Sequence, residues 1–214
     1  MLKKLTILSF LAVMALALGS VQAAHADGLP VVYVTLTGVS GGSANGVDTS
    51  PYYGTVGGTQ GVAIVCDDYW HEVYIGETWM ATVNTFSSLD QVRFQGADAA
   101  ATLLMYEEAA FLVEQLASHP NATNDISFAI WSIFSSGVPP TANSAWWLNY
   151  AAGQNYYAGE FASFEILTPT DSSAGSAQEY LVNTPEPASM LLLGSGLFAL
   201  GTLRRRTKRQ AQAS

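Results

Sequence analysis

The chain has 214 residues, 49% hydrophobic and only 12% charged, with a formal net charge of −9. Residues 27–184 hold 16 of the 17 acidic residues and a single base, Arg93, which is a formal charge of −15. A segment so acidic is repelled by nucleic acid and by anionic membrane surfaces, and its one cysteine, Cys66, excludes an intramolecular disulfide.

Met1 to Ala26 reads as a secretory signal peptide, with Lys3 and Lys4 as the charged start and Leu5 to Gly19 as the apolar run. Ala24-His25-Ala26 fits the small-x-small cleavage rule, and Val21-Gln22-Ala23 is a second site of that kind. Signal peptidase is therefore an expected partner during export. Residues 27–182 then have the length of one domain with a sizeable core.

That domain opens with Val31 to Thr37, where Val32, Val34 and Leu36 alternate with Tyr33, Thr35 and Thr37 as in a half-buried strand. A polar loop, Gly38 to Pro51, follows. Gly61 to Cys66 reads as a buried strand, Asp67-Asp68 as an acidic turn, and Trp70 to Ile75 and Thr78 to Phe86 as two more strands joined at Gly76-Glu77. The pattern then turns helical. Asp98 caps a helix over 99–118 whose apolar face carries Leu103, Leu104, Phe111, Leu112 and Leu116, and His119-Pro120 ends it. Asn124 or Asp125 caps a second helix through Ser136, and Thr141 a third through Trp146, Trp147 and Tyr150. Strand character returns at Phe161 to Leu167 and at Gln178 to Val182. The order predicts an α+β fold: an antiparallel β-sandwich or barrel with an inserted block of about three helices, flanked by a cleaved signal peptide and a C-terminal transmembrane sorting helix.

The last segment, residues 183–214, has three parts. Pro185, Glu186 and Pro187 form a triplet, Ala188 to Leu203 carry no charge, and Arg204, Arg205, Arg206, Lys208 and Arg209 close it. Those 16 apolar residues make a helix of roughly 24 Å, a little short of a bilayer core of about 30 Å. The basic cluster behind them sets the topology by staying cytoplasmic. The prolines keep the preceding chain extended, as a processing peptidase requires. This tail resembles the PEP-CTERM sorting signal of bacterial exported proteins. The resemblance implies an exosortase as partner, membrane attachment through 188–203 before processing, and release to the cell surface or extracellular matrix.

Inside the domain, Val65-Cys66-Asp67-Asp68, Tyr106-Glu107-Glu108-Ala109-Ala110-Phe111 and Phe128-Ala129-Ile130-Trp131 resemble the thioester (TQXA-type) domains of bacterial surface adhesins. In those domains a strand cysteine bonds to a glutamine at a T-Q-x-A-I-W helix start, giving an electrophile that acylates amines. Cys66, Asp67, Ala129, Ile130 and Trp131 match. The glutamine position falls on Ser127 and the threonine position on Ile126, and serine has no carboxamide to attack. Gln115 and Gln178 are the substitutes to consider. The resemblance thus implies the fold and a surface role, without the cross-link.

Other chemistry for Cys66 is less well supplied. A cysteine hydrolase needs a base, His71 or His119, but no nucleophile signature surrounds the thiol. A metal site from Cys66, Asp67, Asp68, His71 and Glu72 lacks both C-x-x-C and H-x-x-x-H spacing. Glu107-Glu108 lacks a facing carboxylate and reads as a solvated helix face. Among the aromatics, Trp131 belongs to the core, whereas Trp146 or Trp147 is placed to stack on sugar rings. The expectation is a non-enzymatic surface or matrix protein, without metal or cofactor, that meets exopolysaccharide or another surface protein. An amine-acylating domain is the alternative, and a secreted hydrolase or polysaccharide-binding module the third reading.

Overall fold

The computed structural model describes residues 29–171 and 176–184, so the expected signal peptide and all but the first two residues of the segment 183–214 lie outside the described residues. Eight strands and three α-helices follow one another. They are β1 (Val31–Val39), β2 (Ser43–Ala44), β3 (Val47–Asp48), β4 (Tyr52–Val56), β5 (Thr59–Cys66), β6 (Thr78–Thr85), α1 (Ala99–Ser118), α2 (Thr123–Phe134), α3 (Ser144–Ala152), β7 (Phe164–Pro169) and β8 (Tyr180–Asn183). Six strands close into an antiparallel barrel in the order β1-β4-β5-β8-β7-β6, and β2-β3 form a small separate hairpin. Of the two predicted architectures, the barrel is the one found.

The two-residue period of the strands sorts the side chains. Val34 and Leu36 point into the barrel, while Tyr33, on the alternate face, is exposed. Tyr52, Ile64, Cys66, Ala81, Leu167, Tyr180 and Val182 complete the interior. Strands β5, β7 and β8 are covered on both faces, because Val65, Phe164, Ile166 and Leu181 point outward into a second core under the helices. There they meet Tyr106 and Leu112 of α1 and Ile126 and Ile130 of α2. Helix α2 serves both cores, since its Phe128 and Trp131 join the interior cluster at the barrel end where β5 stops. Replacing Trp131, 2% exposed, with Ala would cost about 3–5 kcal/mol in transfer energy and cavity.

Helix α1 starts where expected: Asp98 accepts the Ala101 N–H at 2.8 Å, and His119 ends it. Its buried stripe is Thr102, Tyr106, Ala109, Ala110, Leu112 and Leu116, so Leu104 stands exposed rather than in the core. The other two predicted caps do not form. Helix α2 begins before Asn124 and Asp125, whose side chains are engaged elsewhere, Asn124 with Thr49 and Ser43 and Asp125 with Thr141 and Asn143. Thr141 donates to Asp125 and lies two residues before Asn143, the position from which α3 starts.

Residues 70–75 are a loop, contrary to the strand expected there. Side-chain acceptors have taken its backbone donors: Asp68 binds the Trp70 N–H and Glu77 binds the Tyr74 N–H. The polar loop 38–51, in turn, hides the β2-β3 hairpin, turned by Asn45 and Gly46 at φ 53° and 83°. β4 went unread for want of apolar alternation, since Gly54 interrupts it.

Candidate functional site

Cys66 ends β5 and is fully buried where α2 meets the barrel. Its N–H donates to Ser50 Oγ at 3.1 Å, and the Ser50 N–H donates to Ser127 Oγ at 3.1 Å. One residue therefore links the cysteine to the helix position where the resemblance looks for a glutamine. Trp131, one turn on, belongs to the same apolar cluster as Cys66, whereas Ala129 and Ile130 turn to the helix-side core. The thiol donates to the Asp68 carbonyl at 3.2 Å and accepts the Asp68 N–H at 3.4 Å. Burial pushes the thiol well above its usual pKa, and the neighbouring Asp67 and Asp68 push the same way. The Trp131 indole, nearby and without an oxygen partner, opposes this only in part. A thiol held this way is a poor nucleophile.

Asp67 follows Cys66 and faces the other way, toward a second group of polar side chains under α1. Asp67, Asp68 and Glu179 are all buried, at 0%, 1% and 0% exposure. Glu179 accepts hydrogen bonds from the hydroxyls of Tyr106 and Thr168 and from the Arg93 N–H at 2.8 Å. The Arg93 guanidinium donates to the Asp68 carboxylate and to Ser176 Oγ. His71 Nδ1 lies 2.9 Å from the same Asp68 carboxylate. His71 is thus paired with an acid rather than with the thiol.

Both oxygens of Asp67 lack a hydrogen-bond partner among the described residues. Burial and the charges of Glu179 and Asp68 push its carboxyl well up, so Asp67 stays protonated. Burial also raises Glu179, against the pull of its hydroxyl and N–H donors. Two neighbouring carboxyls, both raised, suit acid–base chemistry, but neither is accessible to a substrate. Among the described residues, no three His, Cys, Asp or Glu side chains converge as metal ligands would.

The remaining candidates scatter. Gln115 donates to the Phe111 carbonyl on its own helix, away from Cys66. Gln178 does come close: its Nε2 donates to the Asp68 carbonyl at 3.0 Å, the same oxygen that takes the thiol proton. Glu107 and Glu108 are half-buried instead of freely solvated, and burial raises both. His119 packs edge-on against Trp147, which is 6% exposed. Of the tryptophan pair, Trp146 alone presents its ring, 57% exposed and stacked on Tyr150 at 5.1 Å.

Residues 183–206 match the PEP-CTERM protein-sorting motif. The chain is an exported, exosortase-sorted protein. The match covers the end of the sequence and leaves the barrel uncharacterised. Neither a curated protein nor a solved structure matches the chain. Among the described residues, no helix is long and apolar enough to cross a membrane.

Thr168, Glu179 and Ser50 were not singled out from the sequence, and Arg93 and Tyr106 were named there without a place in this group. For Arg93 a signal was present: a single cation among sixteen acids in residues 27–184 has every electrostatic reason to sit where the acids are buried.

Proposed function

We propose that this exported chain is a non-catalytic surface or extracellular-matrix protein acting by adhesion, with a domain of the thioester type that lacks its cross-link. The observation that carries this reading is the complete burial of Cys66, Asp67 and Glu179, beside a surface rich in exposed aromatic rings. Glu179 ties α1 to the barrel through Tyr106, the Cys66 backbone reaches α2 through Ser50, and the exposed groups are left to make contacts. The resemblance to adhesin thioester domains is supported by the Cys66–Ser50–Ser127 chain of hydrogen bonds, which joins the two matching elements at the matching positions. Deleting the gene and measuring attachment and matrix retention tests the reading. A deletion strain that attaches and retains its matrix as well as the parent removes it.

One observation favours a second reading, an internal thioester formed with Gln178. Its amide and the Cys66 thiol share the Asp68 carbonyl, so the two side chains converge. Sulfur would add to the Gln178 carbonyl carbon, the C–N bond would break, and ammonia would leave with the thiol proton. An amine that then opened the thioester would be acylated and the thiol regenerated. An intact-mass spectrum of the exported chain separates the two readings. Full mass supports the uncross-linked domain. A mass short by one ammonia that rises on mixing with a small amine establishes the thioester.

A further inference from the structure

The same barrel end carries a cleft of about 710 Å³ between residues 70–78, the start of β6 and the end of β7. Trp70 and Tyr74 rise from it, 62% and 65% exposed, and Trp79 lines it from the barrel side. These rings are fixed in place. Trp70 stands edge-on to Tyr69 at 4.8 Å, and Tyr69 rests on Trp131 at 5.3 Å. The Tyr74 hydroxyl donates to Glu72 and its N–H to Glu77, both at 2.8 Å, so each carboxylate is held beside an aromatic ring at the cleft. The Trp79 indole N–H is shut off from solvent and has no partner among the described residues.

Rigid aromatic faces flanked by carboxylates recognise a positive charge attached to a ring or chain with an apolar side. No Lys or Arg lines the cleft, and Arg93 is committed to Asp68 and Ser176. The surrounding domain, at a formal −15, attracts cations and repels uronic or sulfated chains. An extended peptide finds no free barrel strand to pair with at the cleft, because the barrel is closed. Met80 of the cleft stands opposite Tyr33 in the β1-β6 ladder, both exposed, so the apolar track runs on past the cleft. That length suits several rings in a row.

We infer that this cleft binds an amine-bearing sugar chain, with Trp70 and Tyr74 stacking on ring faces and Glu72 and Glu77 taking the ammonium groups. The inference builds on the reading that the exposed surface acts by contact, and it names the ligand class.

Titration of the full chain in detergent with short β-1,4-linked glucosamine oligomers, followed by calorimetry, tests it. The N-acetylated oligomer, an oligouronate and a lysine-rich peptide serve as comparisons. Binding is expected for the free-amine oligomer, weakening with added salt, and by about tenfold in Trp70→Ala and again in Glu77→Gln. Trp146→Ala, altered on the far helix, is expected to bind as the parent does. Equal binding of the acetylated oligomer or of the peptide overturns the inference, as does absence of binding or a loss confined to Trp146→Ala. Cells carrying Trp70→Ala keep the two readings apart: if they attach normally while deletion cells do not, adhesion stands and the cleft falls.

Discussion

Residues 66–68 and residues 70–77 are neighbours in the chain with opposite fates. The first stretch carries a thiol and two carboxyls, all fully buried, and the second carries a tryptophan, a tyrosine and two glutamates, all exposed. Polar chemistry lies inside and apolar rings lie outside, the reverse of the usual arrangement. The difference comes from partners. Asp68 and Glu179 are buried because Arg93, Tyr106 and Thr168 satisfy them, whereas Trp70 and Tyr74 are exposed on supports, Tyr69 and Glu72, that hold them out. Burial in this molecule therefore marks structure, and exposure marks candidate function.

Removing the one cation should break the comparison most severely. Arg93→Ala leaves Asp68 without its guanidinium partner and is expected to cost about 3–5 kcal/mol, read as a lower urea midpoint. Arg93→Lys keeps the charge but not the forked reach to Asp68 and Ser176, and should fall between the two. An unchanged midpoint in Arg93→Ala would show that the buried acids do not depend on it. Tyr106→Phe removes the hydrogen bond to Glu179 and the hydroxyl's contact with the Phe94 backbone, for an expected loss of about 2 kcal/mol in the same melt.

A smaller effect follows from the two raised carboxyls. Asp67 and Glu179 are raised in the folded chain, above unfolded values of about 4. The folded state thus holds a proton that the unfolded chain has released. Stability from this source is complete below about pH 4 and declines as pH rises toward the folded values, by at most about 1.4 kcal/mol per pH unit for one proton. Asp67→Asn removes one of the titrating carboxyls and should flatten that part of the profile. Thermal melts from mildly acid to neutral pH check the sign, and a parent chain that gains stability over this range contradicts the assignment.

How legible this was depended on whether a segment's local signals agreed with its tertiary partners. Asp98 and the apolar spacing after it agree, and α1 lies where its residues place it. Trp70 to Ile75 disagree: the alternation imitates a strand, but Asp68 and Glu77 sit at the right offsets to capture its N–H groups, and a loop results. Asn45-Gly46 is a strong hairpin signal that a polar setting concealed. Cys66 and Ser127 were legible as a pair only through resemblance. The group around Glu179 was legible only at Arg93, because Arg93, Tyr106, Thr168 and Glu179 come from four separate segments that no shared motif joins.

The smallest expected effect gives the comparison its finest test. Trp70 and Trp131 both contact Tyr69, at 4.8 and 5.3 Å, yet one is 62% exposed and the other 2%. If exposure here marks contact-making surface, Trp70→Ala should leave stability within about 0.5 kcal/mol, while Trp131→Ala loses the several kcal/mol of a core truncation. The Trp70 backbone N–H, which Asp68 holds, survives the substitution, so the loop keeps its anchor. A melt in which Trp70→Ala costs as much as a core truncation would make Trp70 part of the scaffold. Were that so, its exposure would say nothing about a ligand, and the division between a buried structural region and an exposed binding region would fail at the residue where it matters most.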